Sequence, residues 1–221
     1  MTARRPMRVN LQARATAAEQ RRARTRERLL DAAERVIAER GMEAASIDAF
    51  VAAAGVSRGT FYNYFPTVTD LLHAMNSRLA EDLDRRVDGL TGPIEDCAVR
   101  LAAFIHVVMA SSLVDPVSGW VGLQVAGPRP PPRQHVFENR FDATYREGVA
   151  CGRFRTADLA AARTLVFGAV RMARRDVLSG AALRAQGVPL VALILAAFGV
   201  PFEESEQISR EEAEAALRTR P

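Results

Sequence analysis

Between Ser46 and Pro66 the chain is punctuated so closely that only two very short helices fit. Ser46 is a good N-cap for a helix running to Ala54, with Ile47, Phe50 and Val51 as its apolar face. Gly55-Val56 makes a tight turn, Ser57 caps the next helix, and Pro66 stops it within about two turns. On a helical projection of residues 58–64, at about 100° per residue, Phe61 and Phe65 share one stripe and Gly59 and Asn63 the opposite one. Arg58 and Tyr62 flank the outer stripe on one side, Thr60 and Tyr64 on the other. The phenylalanines therefore anchor a helix too short to stand alone. Its outward face is small and polar in the middle, with a tyrosine on each edge.

Helical periodicity governs the remainder as well, without a convincing run of alternating β-branched residues. Thr16-Ala-Ala-Glu19 has the form of a capping box, and Gly41 that of a C-terminal stop. Between them Leu29, Leu30, Ala33, Val36 and Ile37 recur at helical spacing, after polar turns from Glu19 to Arg28 that form an arginine-rich ramp. Thr67 and Asp70 open a long fourth helix towards Gly89. Further helices are predicted at Ile94–Ser112, Val117–Val125, His135–Cys151, Ala157–Leu178 and Leu190–Phe198, with Pro128–Arg133 a surface loop. The longest uncharged run, Ala185–Phe202, is interrupted by Pro189 and Pro201. About 11 residues between them make roughly 17 Å of helix against about 30 Å of bilayer core, so a buried helix is expected. The acidic end, with a capping-box form at Ser209–Glu212, reads as a frayed tail or surface helix. The fold class is all-α. The expected parts are a basic, disordered N-terminal arm (1–20), a three-helix helix-turn-helix domain (21–72), a larger C-terminal helical bundle (73–200) and a polar C-terminal tail (201–221).

All thirty basic residues are arginine. Nine of them (4, 5, 8, 14, 21, 22, 24, 26 and 28) stand within the first thirty positions against Glu19 and Glu27, while the whole chain carries only +4. So concentrated a basic arm suits a polyanion; without the apolar stripe of an interfacial helix it does not suit a membrane. Cys97, Cys151 and three scattered histidines give no metal-ligand spacing, and no segment has the layout of a signal peptide. Free thiols in a reducing cytoplasm are expected. There is no nucleophile elbow, phosphate-cradling glycine loop or acid–base constellation, so neither enzymatic activity nor a cofactor is expected.

The outer face of residues 58–64 suits a DNA groove. Gly59 admits the backbone to base edges, and the hydroxyls of Thr60, Tyr62 and Tyr64 are phosphate donors. The helix start at Ser57–Gly59 adds backbone N–H groups, and Arg58 has the fork that matches guanine O6 and N7. A helix, an Ala-Gly-Val turn and a short second helix make the helix-turn-helix arrangement. The motifs R-L-L-D-A-A at 28–33, Gly41, S-I-D from Ser46, A-A-G-V-S at 53–57 and G-T-F-Y-N-Y-F-P at 59–66 resemble the TetR family of bacterial transcriptional regulators. The resemblance runs from Thr25 to Leu72, and the rest matches in layout only. It implies a homodimer on a near-palindromic operator, usually as a repressor, released by a small molecule in the C-terminal half. By position, the expected DNA contacts are Ser46, Ser57, Arg58, Gly59, Thr60, Tyr62, Asn63 and Tyr64, with Arg24 and Arg28 from the ramp. In one respect the chain departs from the family. Members commonly place a lysine two residues after the position of Pro66, where this chain has Val68; the arm and ramp, Arg4–Arg28, are expected to replace that phosphate grip.

In the C-terminal half, Leu165, Gly168, Ala169 and Met172 on one helix and Leu190, Leu193 and Ala197 on another are expected at a dimer seam. Leu190–Phe198 reads as apolar all round, hence buried on every side. Candidate effector contacts are Phe104, His106, Met109, Trp120, Phe141, Tyr145 and Phe167, and the few charges on buried faces favour an apolar or weakly polar effector. A DNA-binding regulator or architectural factor without a small-molecule effector, and a transcriptional activator, remain open at this point.

Overall fold

In a computed structural model, residues 11–125, 135–155, 158–180 and 183–218 are described, and among them the chain is helical throughout, with no strand. Residues 1–10 of the expected arm and the loop expected at 128–133 lie outside the described residues. The chain divides into two compact units, Met1–Leu71 and Leu72–Pro221.

The first unit is built on α1 (Leu11–Arg40), α2 (Ile47–Ala54) and α3 (Arg58–Tyr62). α1 begins at Leu11, ahead of the capping box expected at Thr16, so residues 11–20 of the expected disordered arm are helical. Leu29, Leu30, Ala32, Ala33, Val36 and Ile37 are buried, while Arg14, Arg21, Arg22, Arg24, Arg26 and Arg28 of the ramp are exposed. Gly41, at φ +78°, ends the helix and returns its N–H to Ile37 O at 2.9 Å. Ser46 Oγ accepts from Ala49 N–H, capping α2. At the far end of α2, Gly55 takes the left-handed conformation (φ 63°, ψ 43°) that turns the chain into α3. Phe50, Phe61 and Phe65 close the core over α1.

α4 (Val68–Thr91) opens with Thr67 Oγ1 accepting from Asp70 N–H, and the boundary between the units falls within it. The second unit continues with α5 (Cys97–Val114), α6 (Pro116–Val125), α7 (His135–Ala150), α8 (Leu159–Leu178), α9 (Leu183–Ala197) and α10 (Phe202–Arg218). α5 is the hub, packing against α6, α7, α8, α9 and α10. By length and composition α5 is apolar enough to cross a bilayer, but 67 % of it is buried in the fold, as a core helix should be. Asp96 and Asp158 cap α5 and α8 by accepting backbone N–H groups.

Three expectations are corrected here. The polar tail expected at 201–221 is a packed helix over residues 202–218: α10 lies against α9 and α5 and buries Ser205, Ile208, Ser209, Ala213 and Ala216. Its small buried face hid it from a count of apolar residues, and Ser209, expected as a cap, is mid-helix. α9 starts at Leu183 and runs through Pro189. A proline deprives a helix of one hydrogen bond; here its ring faces outward and the packing of α9 on α10 outweighs the loss. Nor is α9 buried on every side, since Leu193 is 60 % exposed.

Gly148 on α7 has no room for a side chain. A Cβ built there would stand 2.2 Å from the ring of buried Phe154. Gly148→Ala is expected to lower stability by about 1–3 kcal/mol through overpacking. Equal melting temperatures for the two proteins would show that the ring yields without cost.

Candidate nucleic-acid interface and ligand cavity

α3 is held from beneath and capped at its start. Phe61 is fully buried and Phe65 nearly so, their rings 6.0 Å apart. Ser57 Oγ accepts from Thr60 N–H at 3.1 Å and shares a hydrogen bond with Thr60 Oγ1 at 2.9 Å. The outward residues fall as the projection requires. Arg58, Gly59, Tyr62 and Asn63 are exposed, Tyr62 by 54 %, and nothing but Ser57 Oγ approaches the position of a Gly59 side chain. Tyr64 is half-buried and Ser46 exposed at the head of α2.

Five interactions here were not legible in the sequence. Arg58 does not hang free: its Nε donates to Asp48 Oδ1 at 2.6 Å and its terminal nitrogen to Asp48 Oδ2, a fork–fork pair between α2 and α3. The hydrogen bonds from Arg58 hold the Asp48 carboxyl below the ordinary carboxylate value. Arg28 is a clamp within the unit, donating to Ala54 O at 2.6 Å, and Arg35 reaches Ala53 O at 3.4 Å. Two α1 arginines thus satisfy carbonyls at the C-terminus of α2, where cations are favoured. Arg22 lies 5.8 Å over the Tyr64 ring and Arg26 5.5 Å over Phe65. The rings crowded into residues 61–65 therefore hold the ramp as well as the core. Between ramp and α3 runs a groove lined by Arg21, Arg22, Thr25, Thr60, Asn63 and Tyr64. Arg24 stands exposed on the ramp.

The second unit encloses a cavity of about 250 Å³ between α4, α5, α6, α7 and α8. Phe104, Phe137 and Phe167 line it with Ile105, Val108, Val166 and Val170, and Asn76, Glu138, Arg171 and Arg174 bring polar groups. Of the seven expected effector contacts, Phe104 and Phe167 are on this wall. Phe141 and Tyr145 stack on one another at 5.5 Å and join Phe154 and Phe198 in an aromatic core cluster. Met109 is fully buried in the core, and Trp120 is half-buried on α6, outside the lining residues. His106 is bonded to Ser209 of α10 at 3.0 Å, and burial depresses its pKa to about 4. The polar residues Asn76, Arg171 and Arg174 were missed. For Arg174 a signal existed: Val166, Val170 and Arg174 follow at steps of four, so an arginine falls on a core-facing stripe. Desolvation, aided by neighbouring Arg171, brings the Arg174 pKa down to about 10.

The expected seam residues lie on outward faces of α8 and α9. Leu165 is 42 % exposed, Met172 51 % and Leu193 60 %; Gly168 and Ala197 are exposed, Ala169 and Leu190 half-buried. Among the described residues, no cluster of His, Cys, Asp and Glu has the geometry to hold a metal ion.

Residues 29–75 match the model of the bacterial regulatory proteins, tetR family. The HTH-type transcriptional repressor LfrR of Mycolicibacterium smegmatis is 42 % identical over 83 residues, which are 36 % of this chain and 42 % of that protein. The match thus spans less than half the length of the curated relative. Among solved structures, RolR in complex with resorcinol superposes with a TM-score of 0.72 at 28 % identity, over 91 % of this chain and 97 % of its own. FadR from Bacillus subtilis in complex with stearoyl-CoA, at 22 % identity and a TM-score of 0.62, covers 79 % of this chain and 99 % of its own and shares the fold. The expectation of a non-enzymatic protein agrees with a match to a family of regulatory proteins. The helix-turn-helix segment at residues 29–75 is thus that of the bacterial regulatory proteins of the tetR family, and the chain shares its fold with RolR.

Proposed function

We propose that the chain is a cytoplasmic repressor that binds a near-palindromic DNA operator as a homodimer and releases it when a small molecule enters the cavity of the second unit. The observation that carries the reading is the outward face of α3. It is small and polar, anchored by Phe61 and Phe65, with Arg58, Thr60, Tyr62 and Asn63 directed away from the core. Such a face fits a major groove, where backbone contacts position the protein and Arg58 reads bases. The Asp48 fork fixes the Arg58 side chain in advance, so little side-chain entropy remains to be lost on docking. The repressor reading takes support from the name of the M. smegmatis relative. The effector reading takes support from RolR, whose structure holds resorcinol. A 250 Å³ cavity admits a single substituted ring, since about 150 Å³ suffices for benzene. The second copy is read from the exposed apolar faces of α8 and α9.

Selection of genomic DNA fragments by the purified protein, sequenced after washing in low and in moderate salt, tests this. One enriched palindrome with half-sites about a helical turn or more apart is the expected result. Retention without sequence preference would make the chain an architectural binder. Arg58→Ala is expected to weaken the selected site by about 10-fold or more and to relax preference at one base pair in each half-site. In place of the missing grip at Val68, the arm is proposed to hold phosphate. Deleting residues 1–10, with Arg4, Arg5 and Arg8, should lower the slope of log K against log salt by about 0.9 for each phosphate the arm neutralises. An unchanged slope would mean that the arm holds no phosphate.

A further inference from the structure

Arg174 is a cation on a largely apolar wall, and among the described residues it forms no ion pair. From α8, in step with Val166 and Val170, its guanidinium reaches the cavity lined by Phe104, Phe137 and Phe167. Its Nε donates to Ser112 Oγ at 2.8 Å; among the described residues the terminal nitrogens have no hydrogen-bond partner. They border an opening left by Gly122. A Cβ built at that glycine would stand 3.9 Å from both nitrogens and 3.3 Å from Asn76 Oδ1, so the lack of a side chain keeps the space in front of them clear. The neighbouring charge has the same sign. It belongs to Arg171, which donates to Leu123 O. Glu138 enters the wall from α7, where its charge acts on Arg163.

A guanidinium taken out of water is costly unless an anion meets it. Its planar fork fits the two oxygens of a carboxylate better than any single acceptor. Apart from Asn76, Glu138 and Arg171 the rest of the wall is apolar and aromatic, and the size of the cavity allows one ring with a short substituent. Building on the effector reading above, we propose that the effector is a small aromatic carboxylate. Arg174 receives its carboxylate at the Gly122 opening, and the three phenylalanines surround its ring. This revises the apolar or weakly polar effector expected from the sequence, because the apolar lining also carries Arg174.

The test is calorimetric titration of the full chain with benzoate, phenylacetate and 3-phenylpropionate, each beside its primary amide of nearly equal size. At least one acid should bind about 10-fold or more tighter than its amide, the difference expected of a charge-assisted hydrogen-bonded pair. Arg174→Gln should bring that acid and amide to within about 2-fold while leaving the amide unchanged, because only the charge is removed. Arg174→Met checks folding independently: without ligand it should melt no lower than the wild type, since an unbalanced charge is lost. An amide that binds as tightly as its acid to the wild type, or an acid preference that survives Arg174→Gln, overturns the carboxylate while leaving the cavity as an effector site. If neither acids nor amides bind, and none alters retention of the selected DNA, both this inference and the effector reading fall.

Discussion

Leu193→Asp is expected to turn the protein into monomers and to weaken operator binding by about 100-fold or more, the order of avidity that vanishes when two half-sites are no longer held together. Single exposed leucines are ordinary on protein surfaces. Here, however, Leu165 and Met172 lie seven residues apart on α8, with Gly168 and Ala169 between them at helical spacing. On α9, which packs against α8, Leu190, Leu193 and Ala197 repeat the pattern. Each of the two helices thus exposes apolar residues at helical spacing, with small residues at Gly168 and Ala197 where another helix could approach closely. A two-fold seam uses every residue twice, so one substitution places two carboxylates in a desolvated interface. Sedimentation at micromolar concentration, with anisotropy on the selected operator, reads both effects. Leu113→Asp, at an exposed leucine on α5, serves as the control and should change neither. A monomeric wild type, or a dimeric Leu193→Asp with full affinity, removes the seam.

The geometry of α2 and α3 was legible because its constraints are local. Ser46, Gly55, Ser57 and Pro66 set the limits of α2 and α3 through capping and backbone conformation, and Phe61 and Phe65 fix which face turns inward. Spacing alone delivers that much. It does not deliver the partners of long, flexible side chains. Arg28 reaches a carbonyl 26 residues away, and Arg58 finds Asp48 on the preceding helix. A chain whose basic residues are all arginine gives no composition signal to separate clamps from contacts.

The second unit was harder for a different reason. Its cavity draws residues from five helices, and no local rule brings Asn76, Gly122 and Arg174 together. The large aromatics Phe141 and Tyr145 drew attention by size, but size is what core packing uses first. At residues 202–218 the sequence allowed a surface helix but not a packed one, because apart from Ile208 the buried face of α10 is serine and alanine. Ser205 returns its hydroxyl to Pro201 O at 3.0 Å and Ser209 to Val188 O at 2.9 Å, and these bonds make polar side chains admissible inside.

That serine also fixes the state of His106 and makes the fold sensitive to acid. Ser209 has one hydroxyl hydrogen and gives it to Val188 O, so the Nε2 of His106 must carry the proton that joins α5 to α10. The neutral ring satisfies the pair, while burial opposes a second proton and depresses the pKa from 6.5 to about 4. An unfolded chain takes up that proton near pH 6.5 and the folded protein near 4. Stability conferred by the neutral ring is therefore complete above about 6.5 and is lost as the pH falls towards 4, by about 3 kcal/mol in all. Such a loss is a large share of the stability of an ordinary domain. Asp48 and Asp96, whose carboxyls are held low by arginine partners, are lost only at more acid pH and do not overlap much with this window. His106→Gln, which keeps an amide donor for Ser209 but no titrating ring, should flatten the fall in urea stability between pH 7 and 4.5 at fixed protein concentration. Parallel curves for the two proteins would assign the acid sensitivity to groups other than His106.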